Sequence, residues 1–169
     1  MHQSRLEKCF DELKRIKKKA LIPYITAGDP LPDLTVKLMH GLVDSGADII
    51  ELGVPFSDPI ADGPIIQRAS ERALNHGVNL EACLGFVKEF RTINKVTPIV
   101  LMGYMNPIEQ FGWDNFADNA ARVGVDGVLV VDCPPEESKI FFDKLKAQNI
   151  DCIHLVAPTT SEERLQKIL

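Results

Sequence analysis

A glutamate set inside an apolar run is the first candidate for chemistry in this sequence. Glu51 interrupts Ile49-Ile50-Glu51-Leu52-Gly53-Val54, between Gly46 and Pro55. Such a run reads as a strand buried on both faces. An ionised carboxylate there is costly unless it is paired or able to hold a proton. A tight loop follows, punctuated by Pro55, Pro59, Gly63 and Pro64, and it carries Asp58 and Asp62. One carboxylate at the C-terminal end of a buried strand and a second on the loop after it form a typical enzyme site in α/β folds.

The elements that must position these groups alternate along the chain. Residues 5–18 place Leu6, Cys9, Phe10, Leu13 and Ile16 at helical spacing, an amphipathic first helix. Residues 21–27 read as strand one, closed by Gly28-Asp29-Pro30, and residues 33–45 as a helix with Leu34, Leu38, Met39 and Leu42 on one face. The strand around Glu51 comes next, then a helix over 65–74, with Pro64 at its first position. Asn79 caps a helix over 80–93 whose core face is Leu84, Val87 and Phe90. Residues 98–104 form strand three, 106–123 a short turn and a helix stopped by Gly124, and 127–131 strand four. Residues 135–148 form a helix carrying Ile140, Phe141, Leu145 and Ala147, and 152–157 strand five. Thr160 with Glu163 makes a capping box for a last helix. Continuous apolar strands alternating with helices argue a parallel α/β fold, which by itself is either a barrel or an open doubly wound sheet.

Composition narrows the function classes. The chain has 169 residues, enough for one domain with a real core, and 45% of them are hydrophobic. Its net charge of -5 argues against nucleic acid or an anionic membrane as partner. No apolar run approaches the roughly 20 residues of a membrane helix. The first residues lack a secretory core, because charges interleave Leu6 and Phe10. Cys9, Cys83, Cys133 and Cys152 fit no zinc spacing and read as reduced, partly buried thiols of a cytoplasmic protein. No Gly-x-Gly-x-x-Gly or Walker sequence is present, so dinucleotide or nucleoside triphosphate binding has little support.

The stretch Glu51-Leu52-Gly53-Val54-Pro55-Phe56-Ser57-Asp58-Pro59-Ile60-Ala61-Asp62-Gly63-Pro64 resembles the signature of the tryptophan synthase alpha subunit family. Pro23-Tyr24-Ile25-Thr26-Ala27-Gly28-Asp29-Pro30, Met102-Gly103-Tyr104-Met105-Asn106-Pro107 and Val123-Gly124-Val125-Asp126-Gly127 follow in that family's order and spacing. The resemblance covers the whole chain. It implies an α/β fold of the TIM (βα)8 barrel family, with about five of the eight βα units present. Residues 1–169 then form a single, incomplete barrel domain, with 1–19 as a helical segment ahead of strand one. The implied reaction is retro-aldol cleavage of indole-3-glycerol phosphate to indole and glyceraldehyde 3-phosphate.

Side chains alternate along a strand, so Glu51 points the same way as Ile49 and Gly53, while Ile50 and Leu52 face the helices. Parity together with the resemblance turns Ile22, Tyr24, Thr26, Met102, Tyr104, Leu129, Ile153 and Leu155 inward. Tyr24, Met102, Tyr104, Leu129 and Leu155 are thus the expected substrate-binding residues, walls suited to a flat apolar ring with one N–H. Apolar walls raise the pKa of a carboxyl, so Glu51 is expected as the general acid/base. Asp62, on a wetter loop, is expected to stay ionised, accept the indole N–H and offset the ring's positive charge. No cofactor and no metal are expected. No strand carries an interior lysine for a Schiff base, and His40, His76 and His154 are scattered, reading as surface or satisfied core histidines.

Plainer roles stand beside these. Glu51 could pair with Arg68 or Lys37, and Asp62 could only cap the helix that starts at Pro64. Asp58 reads as a loop or interface residue, and Asp132 either lines the site or caps a turn. The family's phosphate grip lies after strands seven and eight, beyond what five units supply. The 169-residue chain alone is therefore expected to be inactive as a lyase and either poorly soluble or self-associated. Two classes of function follow: the lyase, or an interaction module that only docks on the tryptophan synthase beta subunit. The expected docking loops are residues 55–62, 106–112 and 132–137.

Overall fold

Five apolar runs become five parallel strands, hydrogen-bonded in chain order, in a computed structural model that describes residues 3–168. β1 (Tyr24–Thr26), β2 (Ile50–Gly53), β3 (Ile99–Gly103), β4 (Gly127–Val130) and β5 (Asp151–Ile153) each follow the last, and helices make every crossover. Parallel neighbours require such crossovers, and they cover the sheet's outer face. The order and the unbroken parallel pairing are those of five successive units of a TIM (βα)8 barrel.

Register and burial sort the side chains into two faces. Ile50, Leu52, Ile99, Leu101, Val128 and Val130 pack outward against helices, in one core with Val87, Phe90, Phe116, Phe141 and Leu145. Ile49, Val100 and Leu129 pack inward, with Met102 and Ile153 against them. Tyr24 pairs with Glu51, and Glu51 with Val100, so these three stand at one level of the sheet. Ile50 and Leu52 face the helix layer, as strand parity requires.

The helices are α1 (Arg5–Arg15), α2 (Thr35–Asp44), α3 (Pro64–Asn75), α4 (Leu80–Ile93), α5 (Met105–Phe111), α6 (Trp113–Val123), α7 (Pro135–Ala147) and α8 (Glu162–Ile168). α1 is started by a capping box: the Glu7 amide donates to Ser4 Oγ at 3.1 Å, and the Ser4 amide donates to Glu7 Oε2 at 2.8 Å. Its Leu6 closes the inner cluster at the N-terminal end of the sheet. Asn79 caps α4 by accepting the Ala82 amide at 2.9 Å.

α1 is held to the strands by one buried carboxylate. Asp126, just before β4, accepts from Arg5 Nη1 at 2.7 Å, Arg91 Nη2 at 2.7 Å and the Ile99 amide at 2.8 Å. Arg91 in turn donates to the Thr97 and Gly124 carbonyls. One hub thus joins α1, α4 and β3.

Several expectations need correction. β1 and β5 are shorter than residues 21–27 and 152–157, because each pairs on one side only among the described residues. Leu21 still accepts the Asp48 amide at 2.9 Å, so the chain before β1 runs beside β2 without completing a ladder. Leu38 is exposed on α2, which buries Met39 as expected but turns Thr35 and Val36 inward with it, and Ile140 is exposed on α7 beside a buried Phe141. The 106–123 segment is two helices, broken at Gly112, whose φ of 86° a side chain would rarely adopt. The last helix is capped by Ser161, whose Oγ accepts the Arg164 amide, while Thr160 accepts from Ala157. His40 stacks on Phe90 at 4.6 Å, but among the described residues its buried Nε2 has no hydrogen-bond partner, unlike a satisfied core histidine. No helix of the described residues is long and apolar enough to cross a membrane.

Candidate active site at the ends of strands two and three

Glu51 is carried by β2, and its side chain joins the inner face with Ile49, Val100 and Leu129 around a cavity of about 690 Å³. Leu6 and Phe10 of α1 roof this space. Glu51 is half-buried, and burial pushes its carboxyl above the usual range. Among the described residues it makes no ion pair, so neither Arg68 nor Lys37 neutralises it. A carboxyl in that condition can exchange a proton nearer neutral pH than a solvated one.

Next to Glu51 the strand ends in Gly53, and the missing side chain has a use. A Cβ there would lie 2.0 Å from the Tyr24 hydroxyl, so the phenol ring lies across the bare backbone. The Tyr24 oxygen is 3.4 Å from Thr26 Oγ1. Burial, the first cause, pushes its pKa up, and the charges of Asp62 and Glu51 push the same way. Tyr24 is therefore the side chain that senses both carboxylates.

Asp62 sits on the loop between β2 and α3, half-buried. Its Oδ2 accepts from the Tyr104 hydroxyl at 2.9 Å, and that hydroxyl accepts the Ala61 amide at 3.0 Å. Gln67 Nε2, on the first turns of α3, donates to the Asp62 carbonyl at 2.9 Å. Asp62 does not cap α3: Gly63 stands at the cap and no side chain accepts there. Gln67 is a loop clasp that sequence reading missed; nothing in its neighbourhood marks a glutamine on a helix as a partner for a carbonyl five residues back.

The other expected residues fall in different places. Met102 and Leu129 belong to the inner cluster near Glu51. Tyr104, at the end of β3, is almost fully buried, with its ring 5.2 Å from Phe56. Leu155 lies past the end of β5, 62% exposed, on a separate cavity with Val131, Asp132 and His154. It is not brought to Glu51. Asp132 caps α5, its Oδ1 accepting the Met105 amide at 2.8 Å. Asp58 is exposed and accepts from Ser57. A larger cavity of about 780 Å³ lies at the N-terminal ends of the strands, around Lys95 and Asp126, and shares Gln3 with the Glu51 cavity, but Glu51 does not line it. Among the described residues no group of three or more His, Cys, Asp or Glu could hold a metal ion. No disulfide joins the four cysteines, and burial pushes the Cys83 thiol up to about 12.

A family model described as tryptophan synthase alpha chain matches residues 10–169. The tryptophan synthase alpha chain of Chromobacterium violaceum is 62% identical over 165 residues, which are 98% of this chain and 62% of that one. That of Polynucleobacter necessarius is 60% identical over 163 residues, 96% of this chain and 62% of that one. The crystal structure of tryptophan synthase subunit alpha from Legionella pneumophila superposes with a TM-score of 0.97 at 51% identity, over 99% of this chain and 64% of that one. A chain from the tryptophan synthase a2b2 complex of Pyrococcus furiosus matches with a TM-score of 0.83 at 48% identity, over 88% of this chain and 63% of that one. The chain thus spans about three-fifths of the length of the curated relatives it matches.

Proposed function

Because this chain belongs to the tryptophan synthase alpha chain family, we propose that the protein carrying it is a cytoplasmic lyase of tryptophan biosynthesis. It cleaves indole-3-glycerol phosphate to indole and glyceraldehyde 3-phosphate. In this reading residues 1–169 are a single, incomplete barrel domain, with 1–19 as the amphipathic helical segment ahead of strand one. The observation that carries the proposal is Glu51, a half-buried carboxyl raised by burial on a cavity wall and without an ion pair among the described residues, with Asp62 on the loop after its strand.

The reaction needs two proton movements and one charge. A proton goes to ring carbon C3, which leaves a cation delocalised toward the ring nitrogen. The adjacent side-chain hydroxyl then loses its proton, its oxygen becomes the aldehyde carbonyl, and the electrons of the breaking carbon–carbon bond restore the neutral aromatic ring. Glu51 serves as the general acid/base for these transfers, since its environment favours the protonated form. Asp62 accepts the ring N–H and offsets the cation. Tyr24, Met102, Tyr104 and Leu129 supply apolar wall; Leu155, on a separate cavity, does not. The chemistry requires no cofactor.

The partner is the tryptophan synthase beta subunit, in an α2β2 assembly. The relative from Pyrococcus furiosus is named as part of an a2b2 complex. In this chain Ile60, within the docking loop 55–62, is 85% exposed. The remaining docking surface would be residues 106–112 and 132–137.

The test is release of indole from indole-3-glycerol phosphate by the purified protein, with and without beta subunit. Release in both conditions supports the lyase. Binding to the beta subunit with no indole in either condition reduces the chain to an interaction module.

A further inference from the structure

Asp62 belongs to a loop without regular structure, yet the chemistry proposed for it needs a fixed carboxylate. Gln67 holds its backbone carbonyl, and among the described residues one hydroxyl holds its carboxylate. Tyr104 Oη donates to Asp62 Oδ2 at 2.9 Å and accepts the Ala61 amide at 3.0 Å. The direction of the first bond follows from the second and from burial. Burial holds the phenol's pKa up to about 12, so it keeps its proton at neutral pH. The Ala61 N–H already donates to that oxygen, and the carboxylate is the acceptor left for the proton. Tyr104 is 4% exposed and follows β3, which pairs on both sides, so the anchor is set in the core while Asp62 lies outside any helix or strand. Phe56, on the same loop, packs against its ring at 5.2 Å. Among the described residues Asp62 Oδ1 accepts no hydrogen bond.

We propose that Tyr104 is a positioning residue for the lyase reaction: its hydroxyl clamps Asp62 Oδ2 and the Ala61 amide together, and leaves Oδ1 as the oxygen that takes the substrate N–H. The proposal rests on the reading of Asp62 given under Proposed function. It assigns the hydroxyl to the loop rather than to the substrate, while the ring keeps its place in the wall. A preorganised acceptor loses effect steeply when misplaced by about 1 Å, so the clamp matters to rate more than to binding.

The decisive variant is Tyr104→Phe, which keeps the ring and its Phe56 contact and deletes both hydrogen bonds. In the full protein that carries this chain, amide exchange at Ala61 should quicken roughly tenfold with global melting little changed. Unchanged exchange at Ala61 would overturn the clamp whatever the activity. On indole release, Tyr104→Phe should lower kcat roughly ten- to hundredfold with KM nearly constant. In an Asp62→Ala background the same change should lower kcat no further. An equal loss in both backgrounds would mean that the hydroxyl acts independently of Asp62, and the proposal would be wrong. If the parent protein released no indole, the lyase reading and Tyr104's part in it would fall together, while exchange at Ala61 would still report whether the loop is clamped.

Discussion

Asparagine at position 126 tests how the floor of the barrel is held. Asp126 is the only negative partner of Arg91 among the described ion pairs, and the two side chains are 3% and 7% exposed. Burial lowers the Arg91 pKa to about 10, with Asp126 the chief opposing influence, so the guanidinium is still charged at neutral pH. Asp126→Asn leaves that charge buried with only carbonyl partners at Thr97, Gly124 and Asn94. Breaking a buried pair in this way costs about 3–5 kcal/mol. The second partner behaves differently. Arg5 is 37% exposed, and solvent screens its pair with Asp126, so Arg5→Gln should cost no more than about 1 kcal/mol. At roughly 2–4 °C per kcal/mol for a domain of this size, Asp126→Asn should melt about 6–20 °C lower. Urea denaturation followed by circular dichroism measures both variants. The double change Arg91→Met with Asp126→Leu should recover part of the loss, since an apolar pair leaves no charge behind. A cost for Asp126→Asn below about 1 kcal/mol, or equal to that of Arg5→Gln, would refute the hub.

Three further outcomes follow from the same geometry. Gly53→Ala sets a Cβ 2.0 Å from the Tyr24 hydroxyl, so the ring must leave its place; stability should fall by about 1–3 kcal/mol and KM should rise, and a crystal structure with Tyr24 unmoved would contradict this. Asp62→Asn should cut kcat about 10²–10³-fold, because an amide accepts an N–H but cannot offset a cation; a change in KM alone would make Asp62 a binding residue only. Burial raises Glu51 above its unfolded value, so the folded state holds that proton to higher pH than the unfolded state. The stability of the parent protein should therefore fall as pH rises from the ordinary carboxylate range through the raised value, and Glu51→Gln should melt higher than the parent at pH 7 but not below about pH 4. Melting curves at the two pH values check the sign.

The strand runs, their inward and outward faces and the helix ends at Asn79 and Gly124 were legible in the residues, because period-two burial and capping are local signals. Glu51 was legible for a similar reason: a carboxylate in an apolar run announces its own cost. Asp62's partner was not. Its hydroxyl comes from Tyr104, 42 positions on, and no spacing rule joins a loop after one strand to the end of the next. The same holds for Asp126, whose three donors come from Arg5, Arg91 and Ile99. The Ser4–Glu7 capping box was present as a sequence signature and was overlooked, whereas the box expected at Thr160 gave way to Ser161. Leu155 shows the limit of parity, which carries only as far as the strand does: β5 ends at Ile153, and beyond it the side chain turns to another cavity.

The most direct test of the proposed function is indole formation from indole-3-glycerol phosphate by Glu51→Gln in the full protein with its beta subunit, against the parent under the same conditions. General acid/base catalysis of this kind contributes about 10²–10⁴-fold, so the account predicts a fall of at least that order in kcat, with the fold and the beta-subunit affinity retained. Turnover within about tenfold of the parent would contradict the assignment of Glu51 as the group that moves the proton.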